Sequence, residues 1–113
     1  MKIWLDDIRP APVGYVWIRS VDAAKAWILN CERKYAEKYV NEGIFDTSLL
    51  ARYWDMDHDA GEFVKNGGDY IELLNWLEET HRINFTFKLH SANPVGVENM
   101  RRIIERNGWE EVK

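Results

Sequence analysis

Short apolar runs alternate along this chain with longer stretches of helical spacing. Ile3, Trp4 and Leu5 are consecutive apolar positions that stop at two carboxylates, the pattern of a short buried strand. Residues 6–14 carry Pro10, Pro12 and Gly14 and read as a loop. Tyr15-Val16-Trp17-Ile18, β-branched and aromatic, reads as a second strand. Ser20 then offers an N-cap to a helix whose Val21, Ala24, Ile28, Cys31 and Tyr35 form one apolar stripe, with an end near Gly43. Residues 48–57 run through Leu49, Leu50, Tyr53, Trp54 and Met56, and the later half reads as a strand. After the break at Asn66-Gly67-Gly68, Asp69 is the expected N-cap of a helix with Tyr70, Leu73, Leu74 and Leu77 on one face. Residues 85–89 are a further strand. Asn93-Pro94 opens a helix containing Val97, Met100, Ile103 and Ile104, which Gly108 stops before a last short strand at residues 109–112.

Helices between strands predict a parallel α/β sheet with helices on both faces. Nine residues separate the first two strands, whereas a parallel crossover takes a dozen or more. Either that crossover has lost its helix or the two strands pair antiparallel; the expectation taken forward is a crossover reduced to a loop. Strand 2–5, the strand ending near Asp57 and strand 85–89 are expected to be adjacent and parallel, with no helix after the last strand.

Composition narrows the classes. At 113 residues the chain fits one domain, 1–113, and leaves no room for two. One cysteine, Cys31, excludes an internal disulfide framework and a CxxC zinc site, and its position on an apolar stripe makes it core. Fifteen Lys+Arg against 19 Asp+Glu, a net charge of -4, argues against a coat for long nucleic acid and leaves a small phosphate open. No apolar run nears a membrane span and the N-terminus is no signal peptide, so the expectation is a cytoplasmic enzyme or binding module with no membrane partner. The tryptophans, spread over several elements, read as packing, with Trp4 beside the acidic pair the exception.

Every polar cluster follows a strand: Asp6-Asp7 the first, Asp57-His58-Asp59 the third, His90-Ser91 the fourth. Ligands of open α/β sheets bind outside the carboxyl ends of strands, so these clusters are expected to converge there. Asp6 and Asp7 read either as a turn, or as ligands of Mg²⁺, a hard cation suited to paired carboxylates, or as orienters of a histidine. Asp57-His58-Asp59 reads either as a satisfied surface turn or as a histidine whose tautomer a neighbouring carboxylate fixes. Ser91 and Asn93 read either as ordinary caps or as donors that join free backbone N–H groups in holding a phosphate. Arg9, on the loop of the acidic pair, is the best phosphate partner among the cations. His81 ends a helix and has no role assigned.

Trp4-Leu5-Asp6-Asp7-Ile8-Arg9-Pro10, Asp57-His58-Asp59-Ala60-Gly61 and the run from His90-Ser91-Ala92-Asn93-Pro94-Val95-Gly96 to Glu98-Asn99-Met100 resemble the cyclic-phosphate processing receiver domains. The resemblance covers nearly the whole chain. It implies a receiver-like, flavodoxin-like fold and processing of cyclic phosphates. Some members carry a further histidine two positions before the one matching His90, where this chain has Lys88.

Residue chemistry agrees with that implication. Opening a cyclic phosphodiester with water takes a base for the water and an acid for the leaving alkoxide. His58 and His90 are the candidate pair, with Asp57 beside them. Ser91, Asn93 and Arg9 would hold the phosphoryl oxygens of a small cyclic phosphate or an RNA-end phosphate. Asp6, Asp7 and Asp57 would hold Mg²⁺ if a cation is used. Two rival classes remain. In a phospho-accepting or degenerate signalling receiver, Asp57 takes the phosphoryl group and Ser91 senses it. In a non-catalytic module, the tryptophans and the acidic edge contact another protein.

Overall fold

The computed structural model describes residues 1–113. Five strands, β1 (Lys2–Leu5), β2 (Tyr15–Ile18), β3 (Tyr53–Met56), β4 (Thr86–Leu89) and β5 (Glu110–Val112), form one sheet in the order β2-β1-β3-β4-β5. All four pairings are parallel. The helices are α1 (Val21–Glu42), α2 (Ile71–Glu79) and α3 (Pro94–Arg106). This is the receiver-like, flavodoxin-like arrangement. β1 and β2 pair in parallel across nine residues with no helix between them, so the first crossover is a loop.

Local chemistry sets the element ends. Ser20 Oγ accepts from the Ala23 N–H at 3.1 Å, and α1 ends at Gly43. Asn93 Oδ1 accepts from the Gly96 N–H at 2.9 Å, with Pro94 at the first helical position. Asp69 does not cap α2 as expected. Its Oδ1 accepts from the Ala60 N–H at 3.0 Å, because the chain makes one more turn before α2 starts at Ile71. That bond closes the loop after β3 instead. Short 3₁₀ turns at Thr47–Leu49 and Gly61–Lys65 carry no three-to-four-residue apolar stripe and were not visible in the pattern.

Handedness decides where the helices lie. The crossovers β2→β3, β3→β4 and β4→β5 all step the same way across the sheet, and right-handed connections of one sense fall on one face. α1, α2 and α3 accordingly form a single layer over Ile3, Leu5, Ile18, Trp54, Met56 and Phe87. Only β1→β2 runs the other way, and it has no helix. The parallel sheet is as expected, but its flanking helices share one face, so cover on both faces is not found. The outward rows are Lys2, Tyr15, Tyr53 and Thr86, then Trp4, Trp17, Asp55 and Lys88. Trp4 and Trp17 therefore leave the core, whereas Trp54 is fully buried in it. No helix is long and apolar enough to cross a membrane.

Neighbouring residues on β4 should report this one-sided core. Phe87→Ala should cost about 3–5 kcal/mol in urea denaturation, the range for a large core aromatic. Lys88→Ala, one residue on but facing out, should stay within about 0.5 kcal/mol. Comparable losses at both positions would mean that both faces are packed.

Candidate functional site at the carboxyl edge

The sheet ladder continues one step past the strands. Asp6 N–H donates to Ile18 O, Asp57 N–H to Leu5 O and His90 N–H to Met56 O, at 2.9–3.2 Å. Side chains alternate faces along a strand, so Asp6, Asp57 and His90 continue the outward rows. Asp7, His58 and Ser91 turn towards the helix side. The three clusters expected at this edge do meet there, and the carboxylates of Asp6, Asp7 and Asp57 come within 4.8 Å of one another.

His90 is clamped. Its Nδ1 lies 2.5 Å from Asp55 Oδ1 and its Nε2 lies 2.9 Å from Asp6 Oδ2. When both carboxylates are ionised, both ring nitrogens must donate. The ring also stacks on Trp4, with centroids 4.0 Å apart and planes 7° apart. The Trp4 indole N–H is itself fixed by Arg9 O at 2.8 Å. Asp55 was missed in the sequence. The available signal was a carboxylate inside the otherwise buried run Trp54-Asp55-Met56, where an unpaired acid is costly.

His58 sits on the helix side. Its Nδ1 lies 2.7 Å from Asp59 Oδ1, the neighbouring carboxylate expected to fix its tautomer, and Nε2 has no hydrogen-bond partner. Asp57 Oδ1 accepts the His58 backbone N–H at 2.7 Å. The ring lies flat on the start of α3: a Cβ on Gly96 would fall 2.5 Å from His58 Cγ. A second close approach at this edge is at Gly61, where a Cβ would fall 2.2 Å from Asp7 Oδ2. Both positions require glycine for space.

Asp6 both closes a turn and orients a histidine. Its Oδ1 accepts from the N–H groups of Ile8 and Arg9 at 2.9 Å, closing a turn, while Oδ2 meets His90. Burial alone would raise its pKa, but these two N–H groups and His90 outweigh burial and hold the carboxyl below its ordinary value. Asp7 goes the other way. Burial, then the charges of Asp6 and Asp57, push its carboxyl up. The His58 ring holds Asp59 below its ordinary value. Below the cluster, burial and the charges of Asp7, Asp6 and Asp57 push the Tyr70 phenol up, and its O–H donates to Arg19 O at 2.8 Å. Arg19 was also missed. Its guanidinium holds Asp7 O with two bonds of 2.6 and 3.0 Å and so fixes the acidic turn to the end of β2.

Arg9 crosses the cluster with its guanidinium 3.0 Å from His90 O, 3.5 Å from Asp6 and 4.0 Å from Asp57. Ser91 and Asn93 act as caps. Ser91 Oγ accepts from the Asn93 N–H at 3.1 Å, and Asn93 Oδ1 is bound to Gly96. Pro94 has no N–H and Val97 donates to Asn93 O, which leaves the Val95 N–H in the first turn. The anion-ready turn is thus largely self-satisfied. Ser91 keeps its hydroxyl hydrogen. Asn93 Nδ2 points at His58 and Asp59, 3.5 and 3.4 Å away. The edge is an open surface. The cavity in the structure, about 220 Å³, lies elsewhere, between α1 and the amino ends of β3 and β4, with Ile28, Arg52, His81 and Phe85 in its wall.

A parallel sheet in receiver order, with an acidic triplet at its carboxyl edge, defines a receiver-like domain. The family described as cyclic-phosphate processing receiver domain matches residues 1–106. The chain belongs to that family. Searches of curated proteins and of solved structures found no match to it.

Two substitutions test the geometry. Ala for Gly inside a helix ordinarily gains about 1 kcal/mol. Gly96→Ala should instead lower Tm, because the new methyl displaces the His58 ring; a raised Tm with an unmoved His58 NMR signal would contradict the contact. A carboxyl whose folded pKa lies above its unfolded value destabilises the fold above that folded pKa, and the penalty fades as pH falls through it. Asp7→Asn should therefore raise Tm of chelator-treated protein at pH 7 by about 2–4 °C, the response of a domain this size to about 0.5–1 kcal/mol. The advantage should shrink as pH falls towards 4. Asp6, held low, acts with opposite sign: its contribution is present above its ordinary 3.8 and is lost as pH falls through its lowered folded pKa.

Proposed function

We propose that this domain adds water to a small or terminal cyclic phosphate, with His58 and His90 as the proton-transfer pair. The observation that carries the proposal is the carboxylate on each Nδ1, Asp59 for His58 and Asp55 for His90. A carboxylate at Nδ1 fixes a histidine's orientation and turns Nε2 to the chemistry. His58 Nε2 is unpartnered and serves as the base. His90, which donates from both nitrogens when Asp55 and Asp6 are ionised, has a hydrogen to give and serves as the acid.

In the ring-opening step, the water oxygen bonds to phosphorus while its proton passes to His58 Nε2. The bond from phosphorus to one alkoxide oxygen breaks, and that oxygen takes the Nε2 hydrogen of His90 in place of Asp6. The product is a phosphomonoester with a free hydroxyl. Proton exchange with solvent restores both rings. Arg9 is the cation nearest the developing negative charge, and the Ser91 hydroxyl is a second donor to a phosphoryl oxygen.

Asp6, Asp7 and Asp57 would hold Mg²⁺. Burial, then the charges of Asp6 and Asp57, push Asp7 up, and three carboxylates whose oxygens come within 4.8 Å of one another fit a hard cation. When bound, such a cation supplies charge neutralisation and polarises a phosphoryl oxygen. The same triplet supports the signalling-receiver alternative, in which Asp57 accepts phosphate.

Uridine 2′,3′-cyclic monophosphate is a suitable probe, assayed with and without Mg²⁺. His58→Ala and His90→Ala should each lower kcat by at least ~10²-fold, the low end for a positioned acid or base. The rate should be bell-shaped in pH, and His81→Ala should change nothing. Unaltered hydrolysis in both histidine variants would rule out the pair. Phosphate uptake from acetyl phosphate that Asp57→Asn abolishes, with no cyclic phosphate opened, would make the domain a signalling receiver.

A further inference from the structure

The helix-free face of the sheet differs in composition from the helix-bearing one. The inner rows of β1 to β4 are aliphatic and aromatic. Beside Glu110 and Val112 of the edge strand β5, the outer rows of β1 to β4 contain no Leu, Ile or Val. They present Trp4, Tyr15, Trp17 and Tyr53 with Lys2 and Lys88. Parallel sheets are ordinarily covered on both faces, and a packed protein layer would call for aliphatic contacts that these rows lack.

The exposed charges of these rows on β1 to β4 are cations, and the edge strand β5 adds one exposed acid, Glu110, beside Thr86. Lys2 and Lys88 are exposed, whereas Asp55, the acid of β1 to β4 in these rows, is buried and bonded to His90. In a chain of net charge -4, Lys2 and Lys88 give β1 to β4 two exposed cations on this face. The rings are also held in place. The Trp17 indole N–H donates to Asp6 O at 2.8 Å, as that of Trp4 does to Arg9 O. Tyr15 packs edge-on against both Trp4 and Tyr53, at 6.0 and 6.5 Å. The Lys2 ammonium stands 5.7 and 5.1 Å from the Tyr15 and Tyr53 ring centres. Fixed aromatic rings interleaved with flexible cations on an open sheet suit unpaired bases and their phosphates. The surface is continuous with the carboxyl edge, because Trp4 stacks on His90.

We propose that this face binds a short single-stranded oligonucleotide, with Tyr15, Trp17 and Tyr53 stacking two or three bases and Lys2 and Lys88 meeting the phosphates. The strand's terminal phosphate would then lie at His90 and Arg9. This last point alone rests on the proposed function; the stacking surface stands without it.

The probe is a 5′-fluorescein octauridylate, followed by anisotropy between 50 and 200 mM salt. Binding should quench tryptophan fluorescence, and pairing the probe with its complement should weaken it by hiding the base faces. Tyr53→Ala should weaken binding roughly 5- to 150-fold, the range for losing one stacked base. Lys88→Gln should reduce the slope of log affinity against log salt by about 0.7. Lys88 makes no ion pair, so that variant keeps its fold, which a thermal melt checks. No binding at 50 mM salt, or binding indifferent to both substitutions, overturns the proposal. So does a dimer in sedimentation equilibrium that Trp17→Ala dissociates, which would assign the face to a second copy. Binding without hydrolysis of any cyclic phosphate would leave this proposal standing and remove the proposed function. Hydrolysis of the mononucleotide without oligonucleotide binding would do the reverse.

Discussion

A right-handed crossover between parallel strands lands on a face fixed by the direction in which it steps. Three of the four connections here step one way, and each carries a helix. The fourth, β1→β2, steps back with nine residues and none. The single core and the bare outer face both follow from that one shortened connection. Its loop is tied down by indoles from both strands that it joins, Trp4 to Arg9 O and Trp17 to Asp6 O. The side chains that would have met a helix hold the loop instead.

The same loop opens with the acidic pair, so the shape of the crossover and the site share residues. Strand alternation then sorts the carboxyl edge into two sides. Asp6, Asp55 and His90 gather with Trp4 on the outer side, and His58 and Asp59 gather with Asn93 and Gly96 at the start of α3. Two histidine–carboxylate pairs therefore flank the triplet, one anchored on a bare sheet face and one on a helix. Had α3 begun with any residue larger than glycine at position 96, the second pair could not have closed on it.

Much of this was readable because it is local. A cap satisfies N–H groups within four residues, so Ser20 and Asn93 mark their helices directly, and an apolar run that ends in Asp marks a strand end. Asp69 misled because the same side chain can cap a helix or close a loop; the choice depends on the Ala60 N–H nine residues earlier. Asp55 and Arg19 were not legible for a similar reason. Their partners, His90 and Asp7 O, are 35 and 12 residues away. The face on which each helix packs was also beyond a list of elements, because it follows from strand order, which no single segment carries. Trp17 looked like core for that reason, since an outward aromatic and an inward one are alike until the register is known.

Electrostatics ties the edge together. Three carboxylates this close are tolerated because each is treated differently. Asp6 is held ionised by two N–H groups and His90, Asp57 accepts the His58 N–H, and Asp7 carries the unrelieved share as a raised pKa. Arg9 is the arginine that reaches the carboxylates of the triplet, and about half of its side chain is exposed. It is therefore the one group there that can turn from protein carboxylates to a ligand without unburying itself. A phosphate arriving at this edge meets net negative charge unless a divalent cation neutralises the triplet or the imidazolium form of His90 faces it. Asp55 holds His90 Nδ1 in place, and Trp4 covers one face of the ring. A carboxylate buried inside β3 thus becomes intelligible: it costs stability as an isolated strand residue and is offset where it keeps a histidine oriented at the mouth of an acidic site.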